Sequence, residues 1–538
     1  MLSLLIWGVA IAAALVLYLN DVYSRFSRHG VNNPPVVALA GNMLRVLLRR
    51  ETFMDNFERL YKCFPGDRFI GIFQFTRPVV IVKDLELIKK IAIKDFEHFL
   101  DHRAFIDEES DSLFGRNLFS LKGQEWKDMR STLSPAFTSS KIKLMIPFMV
   151  DVGEEMIRSL KKKIQDSGYV QDLASRYGND VIASCAFGLK VNSHVEENNE
   201  FYRNGKIAAN FGSLVLLKFF TFMAAPALSK VRLLTIDCHK FILLKLSLFG
   251  EETKTFFKKL VLSTMNDREV RHIHRPDMIQ LLIEAKKGKV THEDKTVEDA
   301  HAGFATVQES SVGKKTVTRV WSDDDLVAQA TLFFVAGFET VATTMWFALY
   351  ELAVNPEVQE KLSQEIKENE MRINGKFDYN SIQRMQYLDM VVSEVLRLWT
   401  AAPATDRLCA KDYNLGRPND KATEDYIVRK GELISIPIWG IHRNPEYFPD
   451  PNKFDPERFS EENKHNIKPL TYLPFGLGPR NCIGSRFALC EVKVMIYQLL
   501  QHMKVSPCKK TTIPIQLRAD SFNFRVKGGH WLRLEVRD

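Results

Sequence analysis

At 538 residues, with 74 basic against 66 acidic side chains and a formal net charge of +8, the chain has room for several domains and is only mildly basic. It contains no dense Lys/Arg run with interleaved aromatics, which excludes nucleic acid as the expected partner; the excess charge suits an anionic membrane surface or an acidic protein. Seven cysteines, scattered and without a Cys-x-x-Cys pair, argue against a disulfide framework or a zinc site and place most of the chain in a reducing compartment.

Residues 2–19 carry no charge and approach the length a helix needs to cross a bilayer. They read as a single-pass anchor over residues 1–20. The competing reading is a cleaved signal peptide, but the basic n-region is missing, and Arg25 and Arg28 follow the segment, where they hold the rest of the chain in the cytoplasm. Residues 21–35, with Gly30, Pro34 and Pro35, read as a hinge leading into one large domain over 36–538.

Short strands are expected at 67–75 and 78–82, then a helix over 85–94. The loop at 102–122 carries Phe105, Leu113, Phe114, Leu118 and Phe119, too apolar for a solvated connection, so it is a candidate for function. Trp126 and Arg130 share one face of a helix that Pro135 closes. Helices follow over 141–165 and 170–187. The apolar runs 211–228 and 241–249 are interrupted by Lys218 and Pro226; two readings stand, a pair of core helices or a patch dipping into a membrane surface. The polar stretch 288–320 reads as a surface linker.

Ser322 and the acidic run Asp323-Asp324-Asp325 open a helix that no proline interrupts before Pro356, apolar nearly all round as a buried helix should be. Inside it stands Ala336-Gly337-Phe338-Glu339-Thr340. The mid-helix glycine costs about 1 kcal/mol relative to alanine, and the Thr340 hydroxyl can bond back to the Ala336 carbonyl. Glu394 and Arg397 are one turn apart on a largely apolar helix over 389–399, so the pair is expected to be buried and to need further partners, with Arg458 of Pro456-Glu457-Arg458-Phe459 as a candidate. Residues 433–437 read as a strand, and the last thirty or so as short strands around an apolar turn at Phe522.

The strongest signal is Phe475-Gly476-Leu477-Gly478-Pro479-Arg480-Asn481-Cys482-Ile483-Gly484. Glycines around Cys482 permit tight turns, Arg480 adds positive charge beside the sulfur, and the helix pattern beginning at Ser485 supplies a positive N-terminus, all of which favour thiolate over thiol. Five fixed positions at this spacing arise by chance in such a chain about once in ten thousand.

On these motifs the chain resembles the cytochrome P-450 superfamily of haem-thiolate monooxygenases, and the sequence around residues 101–103 and 336–344 is similar to the insect xenobiotic-metabolising branch. The resemblance implies a mainly α, multihelical cytochrome P-450 fold with small β-sheets, preceded by an N-terminal transmembrane helix. It implies heme b with Cys482 as axial ligand of the iron, the ligation that favours O–O cleavage. Trp126, Arg130, Arg407, Arg480 and His102 would hold the haem carboxylates, Thr340 and Glu339 would deliver protons during oxygen activation, and Glu394, Arg397 and Arg458 would form a network steadying the cysteine loop.

The implied reaction inserts one atom of O2 into a lipophilic small molecule, xenobiotic or endogenous. Its electrons come from NADPH through NADPH-cytochrome P-450 reductase, with cytochrome b5 as a further partner, at the endoplasmic reticulum membrane with the catalytic domain on the cytoplasmic side. The chain itself shows no nucleotide-binding fingerprint in strand–helix context. Alternatives on the same scaffold are a haem-thiolate isomerase or dehydratase, and a non-catalytic haem sensor.

Overall fold

The computed structural model describes residues 2–103, 108, 111–167, 169–170, 172–209, 213–224, 249–288, 303–307, 310–314, 317, 319–374 and 377–537. Its Cα packing forms two units, the first comprising Met1–Phe105, Ser213–Leu246 and Ala402–Ile441, the second Ile106–Gly212, Ser247–Ala401 and His442–Asp538. Among the described residues nine strands form three small sheets: β1 (Phe69–Gln74), β2 (Arg77–Val82), β3 (Tyr169–Val170), β4 (Thr405–Leu408), β5 (Tyr413–Asn414), β6 (Ile427–Val428), β7 (Leu433–Ile436), β8 (Met503–Ser506) and β9 (Leu532–Val536).

The first unit is built on the sheet β1-β2-β7-β4, in which β1 pairs antiparallel with β2, β2 parallel with β7, and β7 antiparallel with β4. One face buries Ile70, Ile72, Val79, Ile81 and Leu433 against Leu60, and the intervening Phe69, Phe73, Val80 and Val82 are buried on the other, which is why these strands read as nearly unbroken runs of apolar residues. Leu60 comes from the helix Phe53–Lys62, started by a reciprocal cap between Thr52 and Asp55.

The same unit begins with the helix Leu2–Tyr23, whose described side chains stand largely exposed; by length and composition it can cross a membrane. The helix extends past the expected end at residue 20, and the stretch expected as a hinge is packed. Phe26 is fully buried, its ring 5.1 Å from that of Phe73. A Cβ at Gly71 would fall 2.2 Å from the Phe26 ring, so the strand needs glycine there. In the helix Ser213–Ala224, Leu216, Phe220 and Met223 are buried while Leu217 is exposed, a one-sided burial; the rest of the two apolar runs, 225–248, lies outside the described residues.

The second unit is organised around the helix Asp323–Val354, 32 residues long and capped reciprocally by Ser322 and Asp325 as the sequence suggests. Leu173–Cys185 and Ser485–His502 pack against it, and Ser139–Ser167 packs against both of those. The sheet β3-β9-β8 closes this unit. Phe105 of the apolar loop lies outside the described residues, as do residues 289–302 of the polar linker.

Where that linker is described, it is fastened to the second unit. The Phe304 N–H donates to Asp389 Oδ2 at 2.9 Å, its ring lies 5.1 Å from Phe459 and 5.4 Å from Tyr472, and Ala305 and Val312 are buried. A few apolar residues in a polar stretch are enough to anchor it, and composition averaged over the stretch hides them.

Candidate active site: a cysteine loop and a helix turn

The loop before Cys482 turns twice through glycines whose φ angles, +72° at Gly476 and +69° at Gly478, are costly for any other residue. Between them and the cysteine, the Cys482 N–H donates to the Phe475 carbonyl at 2.9 Å and the Asn481 N–H to the Gly478 carbonyl at 3.0 Å. The helix Ser485–His502 begins three residues after the cysteine. Cys482 is exposed although Asn481 and Ser485 on either side are buried.

Two arginines, one on each side, tie this loop to the Trp126 helix, Gly123–Leu133, and to the segment before it. Buried Arg130 donates through Nη1 to the Asn481 carbonyl at 2.7 Å and through Nη2 to Asn481 Oδ1 at 2.8 Å. Arg480 donates to the Leu121 carbonyl at 2.9 Å, and its guanidinium stacks 3.9 Å from the centre of the buried Trp126 ring. Trp126, Arg130, Arg480 and Cys482 thus belong to one cluster, as their family positions imply. Asn481, the acceptor of both Arg130 bonds, is a member that the sequence reading missed, since nothing local distinguishes it.

The acid–arginine network is also present. Glu394 and Arg397, both fully buried, make a two-pronged pair at 2.7 and 2.8 Å, and Arg458 Nε stands 3.4 Å from Glu394 Oε1. The Asp455 N–H donates to the same carboxylate at 2.9 Å, and Arg397 donates to the His442 carbonyl at 2.7 Å. These bonds supply the further partners that a buried ion pair requires.

His442 carries the network to the cysteine loop. The Leu473 N–H donates to its Nε2 at 2.8 Å, which leaves the Nδ1 proton, 3.1 Å from the Arg397 carbonyl, as the donor on the other side. Burial, with the Arg397 charge adding to it, pushes this imidazole down to about 3, so it stays neutral. Sequence reasoning passed over it, although a buried histidine beside a charged network is the kind of signal that could have found it.

On the long helix, Thr340 Oγ1 donates to the Ala336 carbonyl at 2.6 Å, the back-bond expected from the sequence. Ala336 and Thr340 are exposed in the middle of a helix buried over most of its length, which opens a strip one turn high. A Cβ on Gly337 would come within 2.9 Å of Ile182 Cδ1, so the glycine is explained by close helix packing. Glu339 points away from solvent: Arg525 Nη1 is 2.8 Å from its Oε1, and Arg525 Nη2 donates to Oε2 at 3.0 Å. Burial raises the Glu339 carboxyl above the ordinary carboxylate range even with the Arg525 charge opposing it. Arg525 was not anticipated.

His102 and Arg407 lie in the first unit. Buried His102 places Nδ1 2.8 Å from Asp406 Oδ1. Burial alone would raise the Asp406 carboxyl, but the hydrogen bond and charge of His102, with the Arg103 charge, hold it below the ordinary range. Arg407, on β4, is buried and donates to Thr405 Oγ1 at 3.0 Å and to the Asp406 carbonyl at 2.7 Å; burial pulls its guanidinium down to about 10 despite the Asp406 charge.

Among the described residues no three His, Cys, Asp or Glu side chains converge as metal ligands. An exposed cysteine in a loop that carries Arg480 and is held by Arg130 suits a metal that brings its other ligands with it, as a porphyrin iron does. The residues fit that group, and a multihelical fold with such a loop defines the haem-thiolate enzymes. The cytochrome P450 family model matches residues 32–532. The chain is 42% identical to cytochrome P450 9e2 of Blattella germanica across 99% of its own length and 98% of that protein's. It is likewise 42% identical to probable cytochrome P450 9f2 of Drosophila melanogaster, covering 98% of both, and 37% identical to cytochrome P450 6k1 of Blattella germanica, covering 96% and 94%. The chain belongs to the cytochrome P450 family and is a haem-dependent monooxygenase.

Proposed function

We propose that Cys482 is the axial thiolate and that the enzyme inserts one atom of O2 into a lipophilic small molecule, xenobiotic or endogenous. The observation that carries the reading is the exposed Cys482 in a loop bonded at Asn481 by Arg130 and at Leu473 by His442. Trp126, Arg130, Arg480, Arg407 and His102 are proposed to hold the haem carboxylates, on family position and on the donors they carry. Bound haem supplies the oxidising chemistry at dioxygen; the polypeptide supplies position and protons.

Thr340 gives its hydroxyl proton to Ala336, so its oxygen lone pairs face outward as acceptors and orient a water at the exposed strip. Glu339, raised by burial, holds a proton more readily than a surface carboxylate, which suits a general acid supplying that water. Electrons are proposed to come from NADPH through NADPH-cytochrome P450 reductase, with cytochrome b5 as a second donor. The helix Leu2–Tyr23 is proposed to anchor the enzyme in the endoplasmic reticulum membrane, with Arg25 and Arg28 holding the catalytic part in the cytoplasm.

The test is the carbon monoxide difference spectrum of the reduced protein, followed by turnover with reductase and NADPH. A thiolate-type Soret maximum and NADPH-dependent product support the reading. A histidine-type maximum in correctly folded protein rejects the ligand, and product formed without NADPH rejects the electron route.

A further inference from the structure

Near the C-terminus, residues 516–527 fold back on themselves. The Arg518 N–H donates to the Arg525 carbonyl at 2.7 Å, the Lys527 N–H donates to the Gln516 carbonyl at 2.8 Å, and Leu517 bridges antiparallel to Val526. A ribbon this short has little stability of its own, so its place is set by what it is fastened to.

Three fastenings are packing contacts or a single neutral bond. Phe524 is buried with its ring edge-on to Phe347, His530 just beyond the ribbon stacks 4.1 Å from Trp346, and Asn523 donates to the Ala209 carbonyl at 2.9 Å. The fourth is of another kind: the Arg525 guanidinium faces the Glu339 carboxylate, Nη2 donating to Oε2 at 3.0 Å with Nη1 2.8 Å from Oε1. A charge-assisted hydrogen bond of this kind is the strongest of the four, and its carboxylate belongs to the residue beside Thr340.

We infer that Arg525 is a positioning residue that ties the 516–527 ribbon to the helix turn 336–340, so that the ribbon and the Glu339 carboxylate move together and set which lipophilic ligands are accepted beside that turn. A ligand that displaces the ribbon must separate a largely buried carboxylate from its counter-charge, so bulky ligands are penalised relative to small ones. Only the ligand part rests on the proposed function; the tie is a property of the polypeptide.

The experiment compares the full-length protein with Arg525→Met, Arg525→Lys, Glu339→Gln and the double variant Arg525→Met/Glu339→Gln. Hydrogen exchange of the amides of residues 516–530 is read by mass spectrometry, alongside the ratio of spin-shift dissociation constants for a small and a bulky lipophilic ligand. Arg525→Met is expected to speed ribbon exchange and to move the ratio towards the bulky ligand by about fivefold or more, the lower end of ordinary coupling between sites. Arg525→Lys, which keeps the charge and loses the fork, falls between Met and the parent.

The double variant is expected to behave like Arg525→Met alone, because both changes remove one interaction. Unchanged exchange in Arg525→Met, or strictly additive effects in the double variant, overturns the inference. Because exchange needs no turnover, a parent without a thiolate spectrum but with the expected exchange pattern would sink the proposed function and leave the tie standing; a normal spectrum with unchanged exchange would do the reverse.

Discussion

The Cys482 loop and the 336–340 turn of the long helix are held in opposite ways. Around the cysteine, two glycine turns, the Arg130–Asn481 fork, the Glu394–Arg397–Arg458 network and His442 restrain the backbone from several directions. At the helix turn, Thr340 is bonded only locally in its back-bond, and Glu339 leans on Arg525 and Asn523 of one short ribbon. The contrast suits the chemistry proposed for each. An axial thiolate would work at one fixed place, so rigidity there would cost nothing in function, whereas a turn proposed to handle protons and meet ligands would need exposed groups able to exchange partners.

The largest effect that would sharpen this contrast is Cys482→Ala, expected to abolish the thiolate-type carbon monoxide spectrum while far-ultraviolet circular dichroism stays helical. A full thiolate band in that variant would break the comparison at its root. Next, Arg397→Met strands the buried Glu394 carboxylate and is expected to cost about 3–5 kcal/mol, with loss of haem on purification. Calorimetry and the ratio of Soret to protein absorbance measure both, and a melting temperature within a degree of the parent would show that the network is not what stiffens the loop.

A third effect is a pH dependence. Glu351, on the long helix, accepts from Trp399 Nε1 at 2.7 Å, yet burial pushes its carboxyl up to about 7 from the ordinary 4.5. The folded state therefore binds this proton more tightly than the unfolded one. The contribution is fully present below pH 4.5 and is lost as pH rises towards 7, by about 3 kcal/mol in all. Buried His442, His194 and His530, pulled down by burial, contribute slopes of the opposite sign, and Asp180, pushed up to about 6, one of the same sign, so the readout is the difference between the two proteins. The melting temperature of Glu351→Gln should gain on that of the parent as pH rises from 4.5 to 7. A difference that stays constant with pH would remove Glu351 from the account.

The smallest effect on stability is expected from Thr340→Ala, within about 1 kcal/mol because one locally satisfied bond is lost. Haem should remain, while product formed per NADPH consumed drops and peroxide rises. Unchanged coupling would show that the hydroxyl orients nothing.

How much of this was legible depended on how far apart the partners stand. Ser322 with Asp325, Thr340 with Ala336 and Glu394 with Arg397 are three or four residues apart, so helical geometry alone brings them together. The two strands that became β1 and β2, and the 32-residue buried helix, were equally visible, because continuous apolar runs between turn residues have few other solutions. Arg130 and Asn481 are 351 residues apart, and Arg525 and Glu339 are 186 apart; no period or local spacing announces such pairs. The packed stretch around Phe26 and the anchored Phe304 were misjudged for a related reason: single apolar residues among polar ones carry no pattern until a partner surface exists.

Residue type and short-range spacing mark the two candidate motifs. A cysteine set among glycines and an arginine ahead of a helix, and a glycine–acid–threonine turn in a long apolar helix, are local arrangements whose electrostatics and backbone freedom follow from residue type. Which distant groups hold them emerges from packing: Asn481 as the acceptor for Arg130, His442 as the neutral bridge to Leu473, Arg525 as the counter-charge of Glu339. The reason is that satisfying a buried polar group is a requirement on the whole fold, met by whichever donor or acceptor the packing brings within about 3 Å.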